Sequence, residues 1–225
     1  MKTDIKNKIQ AIIEQYSTIT KALLNDIKEL EADQVYSADY RQDKIRQVQA
    51  LMKETDGKFN AQLVELLQGI IQDINGISLN KPADYQAQIS NALEFIKMSG
   101  EGLTDEQAFE IITPFLGDYR TMRLFRNVFA NRSGNTCNVT LFMLSRFDAI
   151  IAKLEELADL AKQFFNCGSY AVNSLGFTIR TNMVLGEAEA IDSMMDKLND
   201  RLKLNFSEIE EDMEKEIQDE LTAEE

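Results

Sequence analysis

A chain of 225 residues with a 44% apolar fraction can bury one large core or two small ones. Its net charge of −14 sets it against nucleic acid and anionic membranes, and the absence of histidine removes the commonest general base and metal ligand, every Ser-His or Cys-His arrangement and the Glu-x-x-His signature of di-iron bundles. With two prolines, Pro82 and Pro114, and 28% charged residues, the composition suits long helices rather than sheets.

The first predicted element is a long amphipathic helix. Ile5, Ile9, Ile12, Tyr16, Ile19, Leu23 and Leu30 follow steps of four and three, which turn one stripe toward a partner helix, with Asp26 interrupting the seam. The register is lost around "EADQVYS". A second stripe follows: Ile45, Val48, Met52, Thr55, Phe59, Leu63, Leu66, Ile70, Ile74 and Ile77. It runs through Gly57, tolerated inside a helix at a cost of about 1 kcal/mol relative to Ala. Ser37 is placed to cap this helix, with Asp39 in its first turn. Residues 3–76 form either two antiparallel helices, the preferred reading, or one very long helix with a register change.

Pro82 suits the first turn of a helix over about 83–98 that carries Ile89, Leu93 and Ile96. After the turn "SGEG", Thr104 and Gln107 make a capping box at the head of "LTDEQAFEIITPF", which Pro114 stops or kinks. Gly117 and Asp118 launch "YRTMRLFRNVFANR". Beyond the loop "SGNT", a strong helix is predicted from about Val139 to Phe165, with Leu144, Phe147, Ile151, Leu154, Ala158 and Ala161 in heptad-like steps. After "NCGS" a last long helix reads Leu175, Ile179, Met183, Ile191, Met195, Leu198, Leu202 and Ile209, and is expected to run on into the acidic end of the chain. "CNVTLFML" is the best strand candidate, but it flows into a helix.

Residues 207–225 hold ten acids and one Lys, a net −9, which leaves −5 for everything else. Yet Ile209, Met213, Ile217 and Leu221 recur every four residues along one stripe. Like charges at i, i+4, such as Glu210 with Glu214, repel, and acids near a helix C-terminus oppose the macrodipole. The segment therefore reads as an extension of the last helix, frayed when free and ordered when its stripe meets a basic, apolar groove. These four stripe residues are one candidate partner-binding site.

A second is Arg120, Arg123 and Arg126, at spacing three on a helix with Phe125 and Phe129, and with Arg132 and Arg146 nearby. Ion pairing inside the fold, an acidic protein partner such as the tail of another copy, and nucleic acid are the three readings, in that order. Candidates for self-association are Ile12 and Ile19 on the N-terminal seam, and Phe164, Phe165 and Phe177 in the low-charge stretch 163–186, where domain core is the competing reading. Glu189, Asp192 and Asp196 share a helix face and could serve a hard cation, although a solvated face is the plainer reading. Cys137 and Cys167, 30 residues apart, make neither a zinc site nor a disulfide framework. No P-loop, dinucleotide-binding glycine pattern or calcium loop is present, and "MKTDIKNKIQ" has charges where a signal peptide has an apolar core.

Two stretches carry a family resemblance. "YSADYRQDKIRQVQALMKE" (residues 36–54) opens a helix with a Tyr-Ser-acid-Tyr start, and "NALEFIKMSGEGLTDEQAFEIITPFLGDYRTMRLFR" (residues 91–126) is a helix, a glycine turn, a capped helix and an arginine-bearing helix. Together, over about a quarter of the chain, they resemble small acidic helical proteins encoded near the capsid genes of tailed phages of Gram-positive bacteria. The resemblance implies a head-morphogenesis or scaffolding-type structural role and supplies no catalytic residues. The acidic C-terminal helix departs from capsid-binding scaffolds, whose C-terminal elements are often basic.

The expectation is thus an all-α protein of extended antiparallel hairpins or coiled coils around a central group of short helices. The expected divisions are an N-terminal hairpin or coiled coil over 1–78, a central domain with a long C-terminal hairpin over 79–206, and an acidic tail over 207–225. Its expected role is non-enzymatic virion assembly, in host cytoplasm or virion. Its partners are further copies and another phage structural protein, with no nucleic acid, membrane, small-molecule substrate or cofactor. The alternatives are an acidic binding module or inhibitor that presents its tail to a basic partner, and an enzyme using carboxylates and a metal.

Overall fold

The computed structural model describes residues 4–76, 81–131, 137–168 and 171–223; Ile77, Arg132 and Tyr170 lie outside them. Helical residues make up 84% of the described chain, and no strand occurs among them. The α-helices are α1 (Ile5–Ala32), α2 (Ala38–Gly76), α3 (Tyr85–Met98), α4 (Asp105–Ile112), α5 (Tyr119–Ala130), α6 (Asn138–Ala161), α7 (Leu175–Arg201) and α8 (Phe206–Ala223). Short 3-10 turns occupy Gly100–Gly102 and Thr113–Phe115.

The chain forms two compact units, not in chain order. One joins Lys2–Ile71 to Ala152–Met194; the other joins Gln72–Ile151 to Met195–Glu225. Helices α2, α6 and α7 each supply residues to both.

In the first unit, α1 and α2 are separate helices. Asp33 turns the chain by accepting from the Val35 and Tyr36 amides at 2.6 and 3.2 Å, and Ser37 Oγ accepts from Tyr40 N as the expected cap. The α1 stripe departs from its strict heptad: Ile5, Ile9, Ile12, Ile13, Tyr16, Thr20 and Leu23 are buried, whereas Ile19 is exposed. An α-helix turns every 3.6 residues, so a 3.5-residue seam drifts, and the next step falls on Thr20. In α2 the buried row is Ile45, Met52, Thr55, Phe59, Leu63, Leu67 and Ile70, with Leu67 taking the place expected of Leu66, and it continues to Ile74 in the second unit. Tyr16 is the hub of the core, 5.6 Å from the ring of Phe59, 4.2 Å from Phe165 and 6.0 Å from Phe177. The amide of Asn60 closes two hydrogen bonds with the backbone of Phe165, at 2.8 and 2.9 Å, which fixes the chain after α6 against α2. The start of α1 is capped across the unit: the Ile5 and Lys6 amides donate to the Asp192 carboxylate at 3.0 and 2.9 Å, placing an anion at the positive end of the helix.

In the second unit the capping box at Thr104 and Gln107 is formed by both reciprocal hydrogen bonds. Pro114 ends α4 through the 3-10 turn, and Gly117, at φ +95°, reverses the chain where a side chain would be strained. Asp105 acts beyond its own helix, accepting from the Val139 and Thr140 amides at 2.7 and 3.0 Å and so capping α6. Asp118 launches α5 without capping it. Its buried carboxylate instead takes Lys81 Nζ at 2.5 Å, Tyr85 Oη at 2.9 Å and Thr121 Oγ1 at 2.8 Å. Burial alone would raise the pKa of this carboxylate; the hydrogen bonds from Lys81, Thr121 and Tyr85 outweigh it and hold the pKa below the usual value.

Two expectations for the C-terminal third are corrected. The stripe Leu175, Ile179, Met183 faces outward, and the buried row of α7 is Phe177, Val184, Ala188, Ile191, Met195 and Leu198. The acidic segment does not extend α7: the helix ends at Arg201, the chain turns through residues 202–205, and α8 starts afresh. A second capping box explains the break, since Glu208 N donates to Asn205 Oδ1 at 3.1 Å and Asn205 N donates to the Glu208 carboxylate at 2.9 Å.

Candidate partner-binding surfaces

The acidic helix is half docked. Its first turns belong to the second unit: Ile209 is fully buried, and Phe206 meets Phe109 edge to face at 5.7 Å. Arg201 donates to Asp212 and Glu216, both at 2.5 Å, and Arg146 donates to the other oxygen of Glu216 at 2.9 Å. Both guanidiniums lie over the ring of Phe142, at 5.0 and 3.8 Å from its centre. Two arginines gathered at one ring repel each other, and the carboxylates of Asp212 and Glu216 offset that repulsion. The stripe then leaves the surface. Met213 is half-buried, Ile217 is 49% exposed and Leu221 is 64% exposed. Glu210, Glu211, Glu214 and Asp219 around them are exposed and make no ion pair among the described residues.

The arginines of α5 divide the same way. Arg126 pairs with Asp148, which also accepts from Tyr119 Oη at 2.7 Å. Arg120 and Arg123 are exposed beside the exposed Leu124, and neither makes an ion pair among the described residues. Of the five arginines grouped by sequence, the structure brings Arg126 and Arg146 into the fold and leaves Arg120 and Arg123 outside; Arg132 lies beyond the described residues.

The self-association candidates separate too. Ile12, Phe164, Phe165 and Phe177 are interior residues of the first unit, so they pack their own core and are not available to line a contact with another copy. Ile19 is exposed on α1. Sequence reading missed a second apolar surface, the α7 row of Leu175 (75% exposed), Ile179 (50%) and Met183 (63%), because these residues were assigned to the core. No charged residue of 175–186 other than Arg180 interrupts that turn of helix, and Arg180 folds back to the Gln163 carbonyl at 3.0 Å.

A cleft of 520 Å³ in the first unit is lined by residues including Leu24, Met52, Lys53, Asp56 and Cys167. Asp56 accepts from Tyr16 Oη at 2.7 Å, from Cys167 N at 2.9 Å and from Cys167 Sγ at 3.0 Å. Burial, and then the neighbouring carboxylate, push the thiol up to about 12 and raise the Tyr16 phenol. A thiol held in that form is a poor nucleophile, and Asp56 is engaged in tying Tyr16 of α1 and the turn after α6 together. Of the carboxylates singled out by spacing on α7, Asp192 caps α1 and Glu189 meets Lys6 at 2.9 Å, while Asp196 is exposed. Among the described residues no three Asp, Glu or Cys side chains gather as a metal site, and no helix is long and apolar enough to cross a membrane. No protein family, no curated protein and no solved structure matches this chain.

Proposed function

We propose that this chain is a non-enzymatic assembly protein that works through helix–helix contacts, in the setting of phage head morphogenesis. The observation that carries the reading is the uncovered apolar row Leu175, Ile179 and Met183 on α7, beside a core that is already complete without it. Apolar rows of this kind on a packed helix are what a partner helix covers. Residues 5–76 are best taken as an antiparallel helical hairpin. The bond from Tyr16 to Asp56 and the bond from Arg41 to the Glu31 carbonyl at 3.3 Å support that direction. The phage setting rests on the resemblance carried by residues 36–54 and 91–126. In that setting the chain acts in host cytoplasm or in the virion, with further copies and another structural protein as partners and with no cofactor.

The exposed end of α8 favours one second reading, an acidic module that docks on a basic partner. Co-expression with the proteins encoded beside this gene tests the first. Uniform closed particles that form only when the chain is present support it. Neighbours that include no capsid or portal-type protein, or particles identical with and without the chain, contradict it.

A further inference from the structure

Two surfaces of the second unit are complementary to each other. On α5, Arg120, Arg123, Leu124 and Asn127 fall at i, i+3, i+4 and i+7, so they share one face, and all four are exposed. On α8, Glu210, Glu214, Ile217 and Leu221 fall at i, i+4, i+7 and i+11 and also share one face, again all exposed. At 1.5 Å of rise per residue the first face is about 10 Å long and the second about 16 Å, so one can lie within the other. Each combines charges of one sign with apolar side chains. None of the four charged groups makes an ion pair among the described residues. Each face is also self-repelling, with Arg120 against Arg123 and Glu210 against Glu214 one turn apart.

We infer that the outward face of α8 docks on the α5 arginine face of a second copy of the chain. The inference rests on the assembly reading and names the partner of the α8 surface. The contact is intermolecular because both faces are exposed within the single chain, where α8 is held in place by Ile209 and Arg201 and does not cover α5. Opposite charges match when the faces meet. The i, i+3 and i, i+4 repulsions within each face are relieved, and Leu124 gains Ile217 or Leu221 as cover. Two copies that exchange the faces reciprocally close a two-fold dimer, and copies that do not repeat the contact into a ring or an open filament.

The test is sedimentation velocity of the full chain over a micromolar concentration series. The variants are Arg120→Glu with Arg123→Glu, Glu210→Arg with Glu214→Arg, and the chain carrying all four substitutions. Each reversed pair places like charges in contact and should weaken association about a hundredfold or more. The fourfold chain should recover it. An equimolar mixture of the two doubly substituted chains has opposite charges at both contacts, one as in the parent and one reversed, and should associate although neither chain does so alone. A parent that does not self-associate overturns the inference. So does a fourfold chain that stays dissociated with its helical circular dichroism intact. Reversed chains that associate as the parent does also overturn it, while leaving assembly through another face, such as that of α7, in place.

Discussion

The guanidinium of Arg201 donates to the Glu216 carboxylate at 2.5 Å, tying the last turn of α7 to the middle of α8. The arginine is largely buried, and its loss leaves Asp212 without its cation and Glu216 with Arg146 alone. Arg201→Ala should therefore cost about 2 kcal/mol, in the range of hydrogen bonds to charged groups. The measurement is a denaturant transition, with amide exchange in α8 rising more than in α4. Unchanged protection in α8 would show that the apolar contacts of Ile209 and Phe206 hold it alone.

Truncation should separate the two halves of α8. Among the residues removed by truncating 217–225, Ile217, Gln218, Asp219, Leu221 and Thr222 are exposed, and the unfolding midpoint should stay close to that of the full chain while self-association is lost. Removing residues 206–225 uncovers the site of Ile209 and strips Arg146 and Arg201 of their carboxylates, and should cost several kcal/mol, about what a buried aliphatic and a broken ion-pair network are worth together. Equal stability of both truncations would show that α8 is an appendage.

The Cys167 thiol should resist alkylation. Its pKa is pushed up to about 12 by burial and then by Asp56, so at pH 8 almost none of it is thiolate. Cys137 is buried, so the folded chain should consume iodoacetamide slowly at both positions and rapidly once unfolded. Asp56→Asn should bring the pH profile of Cys167 labelling down the scale. Labelling of the native chain as fast as a free thiol at pH 8 would contradict this environment.

Asp118 should make the second unit acid-sensitive. Its pKa is lower folded than unfolded, so its ionic contacts stabilise the fold fully above the ordinary carboxylate range and are lost as pH falls through the depressed value. Asp118→Asn should cost about 2 kcal/mol at neutral pH, because Lys81, Tyr85 and Thr121 lose a charged acceptor. The variant should also flatten the loss of stability on acidification. A variant with the same acid profile as the parent would show that other carboxylates set it.

The outward row of α7 should be insensitive in stability. Ile179→Asp should shift the unfolding free energy by less than about 0.5 kcal/mol, as for other surface changes, whereas Ile191→Asp places a charge among fully buried neighbours and should unfold the unit. Comparable losses from both would return Ile179 to the core.

Local signals in the sequence carried most of the helix pattern. Ser37, the Thr104–Gln107 box and Pro114 act through their own backbone neighbours, so their effects are legible from spacing alone. Asn205 and Glu208 make an equally local box, but Leu202 and Ile209 stand seven residues apart and masked it as one continuous stripe. Helix α7 is apolar on two sides, and a period of four fits Leu175, Ile179 and Met183 as well as it fits the true core row through Val184 and Ala188. Which side was buried depended on Phe164 and Tyr16, residues distant in sequence that contribute to the first unit's core. The reach of Asp105 to α6 and of Asp192 to α1 is tertiary and leaves no trace in periodicity. For the same reason the arginines of α5 formed one group in sequence, although Asp148 takes up Arg126 and no carboxylate among the described residues takes up Arg120 or Arg123.

The most direct test of the proposal that this chain acts through helix–helix contacts with its own copies is the mass of the unmodified chain by sedimentation equilibrium at two concentrations, low and high micromolar. The account predicts a mass above the 25.6 kDa of one chain that rises with concentration. A constant 25.6 kDa at both concentrations would contradict it.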